Sequence, residues 1–275
     1  MTVYRGMDRA ALDAAYNNSA AVADSPAILA DWDARSRALR AARPQFLDLR
    51  YGPEERNRID YFIANRDGPV LVFIHGGYWQ MRAKENFSFV ASGPLAHGIN
   101  VALVGYTLAP AKRLDGIIGD VRSAIGWLAA HMADYGGDPG RIYLSGWSAG
   151  GHLTAMALDE PAIRGGLAIS GLYDLEPIRR CYVNDKLGLD EDGARRHSPL
   201  FNLPRLSRPL VITYGTGELA ELQRQSEVFA EAWAGAALPG RLVPLAGHNH
   251  FTILEELAHP DGALTALVKD LVAIQ

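Results

Sequence analysis

Three residues far apart in this chain could together perform acyl transfer: a serine in a glycine-flanked turn, a glutamate and a histidine. The serine is Ser148, in Gly146-Trp147-Ser148-Ala149-Gly150, a G-x-S-x-G pattern. A short apolar run precedes it and a helix-forming run follows it. Strand, tight turn and helix is the context in which this pattern presents a nucleophile. Glycines two before and two after the serine remove the side chains that would clash in so sharp a turn. The helix that begins there aims free N–H groups and a positive dipole end at any anion forming beside the serine.

A serine hydroxyl is a weak nucleophile and needs a base within hydrogen-bond reach. In such sites the partners follow in the order serine, acid, histidine. The last candidate base lies in Ala246-Gly247-His248-Asn249-His250-Phe251. His250 directly precedes a helical segment and is the choice; His248 sits earlier in the loop. The two could also form half of a metal site, but no third-ligand signature accompanies them. The acid should follow the strand at 209–214, where the chain reads Gly215-Thr216-Gly217-Glu218-Leu219-Ala220-Glu221. No aspartate is present there. Glu218 lies in the loop and is chosen. Glu221, which begins the next helix, is held in reserve, since an acid in a first turn is commonplace. The acid accepts the imidazole N–H, fixes the tautomer and stabilises the imidazolium.

A fourth piece is His75-Gly76-Gly77-Tyr78-Trp79, directly after an apolar strand. A glycine-rich loop there can supply N–H groups to an oxyanion hole, joined by that of the residue after the serine. The assigned donors are the N–H groups of Gly77, Tyr78 and Ala149, with Gly76 as a further option. His75 is read as a brace for the loop. Tyr78 and Trp79 are candidates to bind substrate by walling a pocket for an aromatic leaving group; ordinary aromatic packing is the competing reading. This chemistry needs no metal and no organic cofactor.

The elements that must position these residues can be read from hydrophobic period. Residues 8–42 are Ala-rich with apolar side chains at helical spacing, giving two helices joined near 23–26. Between Leu12 and Ile28, Tyr16-Asn17-Asn18 reads as a helix end. The period then changes to alternation at 45–51 and 58–63, an antiparallel pair at a sheet edge. The run at 69–74 is apolar throughout, as for a strand buried on both faces. From there helices at 84–97, 115–133, 221–233, 251–259 and 261–274 alternate with strands at 100–105, 141–145, 165–170, 209–214 and 241–244. Alternation of this kind predicts an α/β fold with a mostly parallel twisted sheet and helices on both faces. The stretch at 171–208 is too long for a plain connection and reads as a lid or pocket wall. The expectation is a single domain over 1–275.

Composition narrows the class. The chain has 275 residues, 48% hydrophobic and 21% charged, with net charge −4. This balance points to no nucleic-acid or membrane partner. No apolar run is long enough to span a membrane. Residues 1–9 carry Arg5, Asp8 and Arg9 with no apolar core, so no signal peptide is read and a cytoplasmic location is expected. The one cysteine, Cys181, allows no internal disulfide and reads as a packing residue. The expected partner is a small-molecule ester or amide; self-association is allowed but not specified.

Taken with Ser170-Gly171-Leu172-Tyr173-Asp174-Leu175-Glu176-Pro177, Val183-Asn184-Asp185, Ser198-Pro199 and the run from Glu221 to Ser226, these motifs resemble the α/β-hydrolase superfamily. Within it they resemble the kynurenine formamidase (arylformamidase) group and its bacterial esterase-like relatives. The resemblance covers most of the chain. It places the family's nucleophile on Ser148, its base on His250 and its acid on Glu218, where the animal formamidases carry aspartate. It implies a serine hydrolase that cleaves a small ester or aryl formamide through an acyl-enzyme. The alternatives are a general carboxylesterase of short acyl esters and a hydrolase-fold protein that binds without hydrolysing.

Overall fold

The computed structural model describes residues 2–274. Its strands are β1 (Leu49–Arg50), β2 (Arg58–Phe62), β3 (Gly68–Ile74), β4 (Asn100–Val104), β5 (Gly137–Trp147), β6 (Ile163–Ile169), β7 (Leu210–Gly215) and β8 (Gly240–Leu245). They form one sheet in the order β1-β2-β4-β3-β5-β6-β7-β8. β1 and β2 pair antiparallel, as do β2 and β4; every other pairing is parallel. The helices are α1 (Arg9–Ala15), α2 (Asn18–Ala21), α3 (Ser25–Ala42), α4 (Ser92–Ala96), α5 (Leu114–His131), α6 (Ala149–Ala157), α7 (Glu176–Arg180), α8 (Asn184–Leu187), α9 (Glu191–Arg196), α10 (Ala220–Gly235), α11 (Glu255–Ala258) and α12 (Ala263–Ala273).

Side-chain alternation along β3 explains why both faces are covered. Val70, Val72 and Ile74 point to one face, into a hydrophobic cluster that also holds Leu114 and Val121 of α5, Leu153 of α6 and Phe229 of α10. Leu71 and Phe73 point to the other, with Trp32 of α3, Leu257 of α11 and Val268 of α12. A strand apolar at every position cannot face water on either side, so it takes the centre of the sheet. Parallel pairing then brings the loops after β3, β5, β6 and β7 to the same carboxyl edge. No helix among the described residues is long and apolar enough to cross a membrane.

Several elements differ from their sequence expectation. Much of the helix expected at 84–97 is a 3-10 helix, Lys84–Ala91, before α4. β5 begins at Gly137, within a stretch whose glycines and proline read as a loop. A register shift between Gly68 and Val70 of β3 absorbs the extra residues. The 171–208 segment holds α7, α8 and α9 rather than irregular chain. Short helices joined by turns show no long period, so the sequence pattern hides them.

The chain leaving the loop at 75–79 is pinned by a buried ion cluster. Lys84 Nζ lies 2.7 Å from Asp60 and 2.6 Å from both Asp48 and Glu85. Asp60 is fully buried on β2 and also pairs with Arg40. Removing one partner of a buried pair strands the other charge away from water. Lys84→Ala is expected to cost about 3 kcal/mol, read from the urea midpoint at unchanged m-value. A loss below ~1 kcal/mol would show that Arg40 alone suffices for Asp60.

Candidate active site

Ser148 stands at the end of β5 with φ +59° and ψ −119°, a conformation that few non-glycine residues adopt. Its amide donates to Ile169 O at 2.8 Å, and its hydroxyl caps no turn of α6. The turn closes only because Gly150 lacks a side chain. A Cβ there would sit 1.9 Å from Ile74 O. The result is a hydroxyl held away from its own helix at the carboxyl edge, only 3% exposed.

The candidate base, His250, is fixed by its loop. Asn249 Oδ1 accepts from the amides of Phe251 and Thr252, and Thr252 Oγ1 accepts from the Asn249 amide. This local cap sets the backbone of His250, which is 3% exposed. His250 Nδ1 pairs with Glu218 Oε2 at 2.8 Å, so Nε2 is the nitrogen that remains for Ser148. His248 instead lies 3.4 Å from Glu256. The Ser148–His250 hydrogen bond itself is not closed among the described residues. Substrate-free sites often hold this pair loosely and tighten it in the complex.

The candidate acid, Glu218, is held by three partners. While Oε2 faces His250, Oε1 accepts from Ser170 Oγ at 2.5 Å and from the Gly215 amide at 2.8 Å. Ser170 takes up φ +51° at the end of β6 to reach it. Glu221 points elsewhere: it pairs with Arg224 and accepts from the Tyr16 hydroxyl. The structure therefore places Glu218, not Glu221, on His250.

Trp147 ties His250 to the turn that carries Ser148, a link that sequence spacing does not show. Its indole N–H donates to the His250 carbonyl at 2.8 Å, and the two rings lie 4.7 Å apart. Trp32, Phe87 and Phe251 surround the same indole. The only sequence signal was an aromatic residue inside the glycine-flanked turn, which does not by itself name a partner.

The loop after β3 lies against the nucleophile. A Cβ on Gly76 would meet the Trp147 ring at 2.6 Å and Ser148 Cβ at 3.0 Å. Gly77, Tyr78 and Trp79 all have positive φ, at +109°, +50° and +59°. The Gly77 carbonyl turns into the loop, where it accepts from the amides of Gln80 and Met81. No turn or loop hydrogen bond among the described residues takes up the N–H groups of Gly77, Tyr78 or Ala149. His75 stacks on Tyr106 at 4.3 Å and bonds through Nδ1 to Gly76 O. Burial lowers its pKa to about 4, so it braces the loop as a neutral ring.

The expectation that Trp79 walls an open pocket needs correction. Trp79 is 0% exposed and its indole N–H donates to His152 Nδ1 at 3.2 Å. An indole has one donor and no acceptor, so burial demands a partner such as this. Tyr78 is also largely buried. Its hydroxyl donates to Tyr16 O at 2.6 Å, accepts from Asn18, and its ring meets Tyr182 edge-on. Asn18, expected at a helix end, also reaches this loop. Cys181 is buried, and burial pushes its thiol up to about 11.

The chain is similar to known proteins along most of its length. A family profile described as BD-FAE matches residues 61–160. A kynurenine formamidase of Salmo salar is 33% identical over 247 residues, covering 83% of this chain and 82% of its own. An isoprenylcysteine alpha-carbonyl methylesterase of Arabidopsis thaliana is 27% identical over 259 residues, 82% of this chain and 60% of its own. A solved structure from Silicibacter sp. TM1040, whose proposed activity is that of a thioesterase, superposes with a TM-score of 0.85 at 32% identity. It covers 94% of this chain and 98% of that one. The chain belongs to the kynurenine formamidase family of α/β-hydrolases and is a hydrolase of esters or aryl formamides.

Proposed function

We propose that this enzyme cleaves a short aryl formamide of the N-formylkynurenine type, with Ser148 as nucleophile, His250 as base and Glu218 as acid. The observation that carries the assignment is the 2.8 Å pairing of Glu218 with His250 Nδ1, on a histidine tied by its carbonyl to the residue beside Ser148. Ser148 Oγ attacks the formyl carbon as His250 Nε2 takes its proton. The oxyanion rests on the N–H groups of Gly77, Tyr78 and Ala149, the last at the positive end of α6. Glu218 steadies the imidazolium. His250 then returns the proton to the aryl nitrogen, the C–N bond breaks, and the arylamine leaves. Water, deprotonated by His250, releases formate from the formyl-serine.

The near-closed setting of Ser148 favours the smallest acyl group, and similarity to the formamidase of Salmo salar favours an aryl amine as leaving group. A carboxylesterase of short acyl esters is the second reading, favoured by similarity to the plant methylesterase. Both reactions use one acyl-transfer site and differ in what the pocket accepts.

Turnover of N-formylkynurenine beside p-nitrophenyl acetate and butyrate separates the two. The formamide is expected to give the higher kcat/KM; fast esters with negligible formamide turnover would make the enzyme an esterase. Ser148→Ala should fold normally and lose activity by roughly 10^4-fold or more. Wild-type turnover in that variant would end the mechanism.

Glu218→Gln replaces an acceptor by an amide that can present N–H to His250 Nδ1, stabilising the wrong tautomer. Its kcat is expected to fall on the order of 10^3- to 10^4-fold, while Glu221→Gln keeps turnover near the wild-type level. The reverse pattern would move the acid to Glu221.

A further inference from the structure

The histidine of α6 makes contacts the hydrolytic steps do not use. His152 of α6 is fully buried, one turn beyond Ser148. Its Nδ1 accepts from the Trp79 indole N–H at 3.2 Å, and the two rings meet edge to face at 4.9 Å. Because the indole can only donate, Nδ1 must be the unprotonated nitrogen. The proton is then on Nε2, which donates to the His197 carbonyl at 2.8 Å, just past α9 of the lid. Both ring nitrogens are satisfied, each by a partner more than forty residues away in sequence. Burial lowers the pKa to about 3, so the accepting lone pair persists at neutral pH.

The loop that His152 grips is under backbone strain. Tyr78 and Trp79 are non-glycine residues at φ +50° and +59°, directly after Gly77 at +109°. Such conformations are strained and persist only where the surroundings enforce them. Trp79 is enforced at two points. Its carbonyl accepts from the Ala109 amide at 2.8 Å, and its side chain is held by His152. The N–H groups of Gly77 and Tyr78 are fixed by the same turn.

We propose that His152 is a positioning residue for the oxyanion hole. It holds Trp79, and through it the donors at Gly77 and Tyr78, at a set distance from the helix that carries Ser148. Its second nitrogen ties this arrangement to the lid, so the position of His197 is felt at the hole. The inference rests on the assignment of those N–H groups as oxyanion donors. An error in donor position that leaves ground-state contacts intact lowers kcat more than it raises KM.

The test is a double-mutant cycle on Trp79 and His152 with the formamide or the better p-nitrophenyl ester. His152→Phe keeps a ring and removes both hydrogen bonds; Trp79→Phe keeps one aromatic ring and removes the N–H donor together with the rest of the indole. Each is expected to lower kcat about tenfold to a hundredfold, with KM changed by less than threefold. The double variant should be no slower than the slower single, because one contact is lost in all three. If His152→Phe does not fold, Trp79→Phe alone decides: wild-type kcat in that variant overturns the proposal. Multiplying effects in the cycle, or a rise in KM at constant kcat, also overturns it. An active-serine phosphonate distinguishes this from an error in the nucleophile. Labelling of Ser148 to one equivalent in wild type and variants, with slow turnover only in the variants, supports the positioning role. Absence of labelling in the wild type would instead sink the Ser148 assignment.

Discussion

The structure depends on a steric constraint at one turn. β5 must reverse into α6 within a residue, and the only way to do so puts Ser148 at positive φ with Gly150 pressed on Ile74 O. Strand β3 therefore packs directly against the elbow, and the loop that follows it has nowhere to run but past the serine. Gly76 fills that contact, where a Cβ would collide with Trp147. Thus the hydroxyl and the donors expected to face it are brought together by packing of adjacent parallel strands, not by any bond between them. Strain at Ser148 is tolerated because the central strands around it are buried on both faces.

From this turn a chain of hydrogen bonds runs sideways across the carboxyl edge. Ser170 at the end of β6 and the Gly215 amide at the end of β7 hold one oxygen of Glu218. The other oxygen holds His250, and the His250 carbonyl accepts from Trp147 beside the serine. The circuit closes on itself, and every member is buried. In such surroundings a hydrogen bond is strong when satisfied and costly when broken, so the network specifies one arrangement. The longer reach of glutamate is used in full: its carboxylate spans two strand ends and a histidine.

The segments outside the alternating core serve the loop after β3. α1 and α2 bring Tyr16 and Asn18 to the Tyr78 hydroxyl. The 171–208 segment contributes Val183, whose carbonyl accepts from Gln80, and His197, whose carbonyl accepts from His152. A strained loop thus gains partners from the N-terminal helices and from the 171–208 segment. Lys84 and its three carboxylates anchor the chain just beyond it.

What the sequence determined by itself was local. The apolar run of β3, the glycines about Ser148 and the alternation of strands and helices each follow from sterics and burial within a few residues. They were enough to name the fold and to single out Ser148 as the candidate nucleophile. What the tertiary structure decided were contacts between distant positions. Glu218 and Glu221 are three residues apart and chemically alike; only pairing with a histidine 32 residues on separates them. His248 and His250 differ by which one Glu218 can reach. Trp79 looked like a pocket wall because an aromatic after a glycine loop has no local mark of burial; its partner lies 73 residues away in α6. Trp147 bridges 103 residues to the His250 carbonyl, an acceptor every residue possesses. Backbone acceptors leave no signature in side-chain type, so the positioning of this site could be found only in three dimensions.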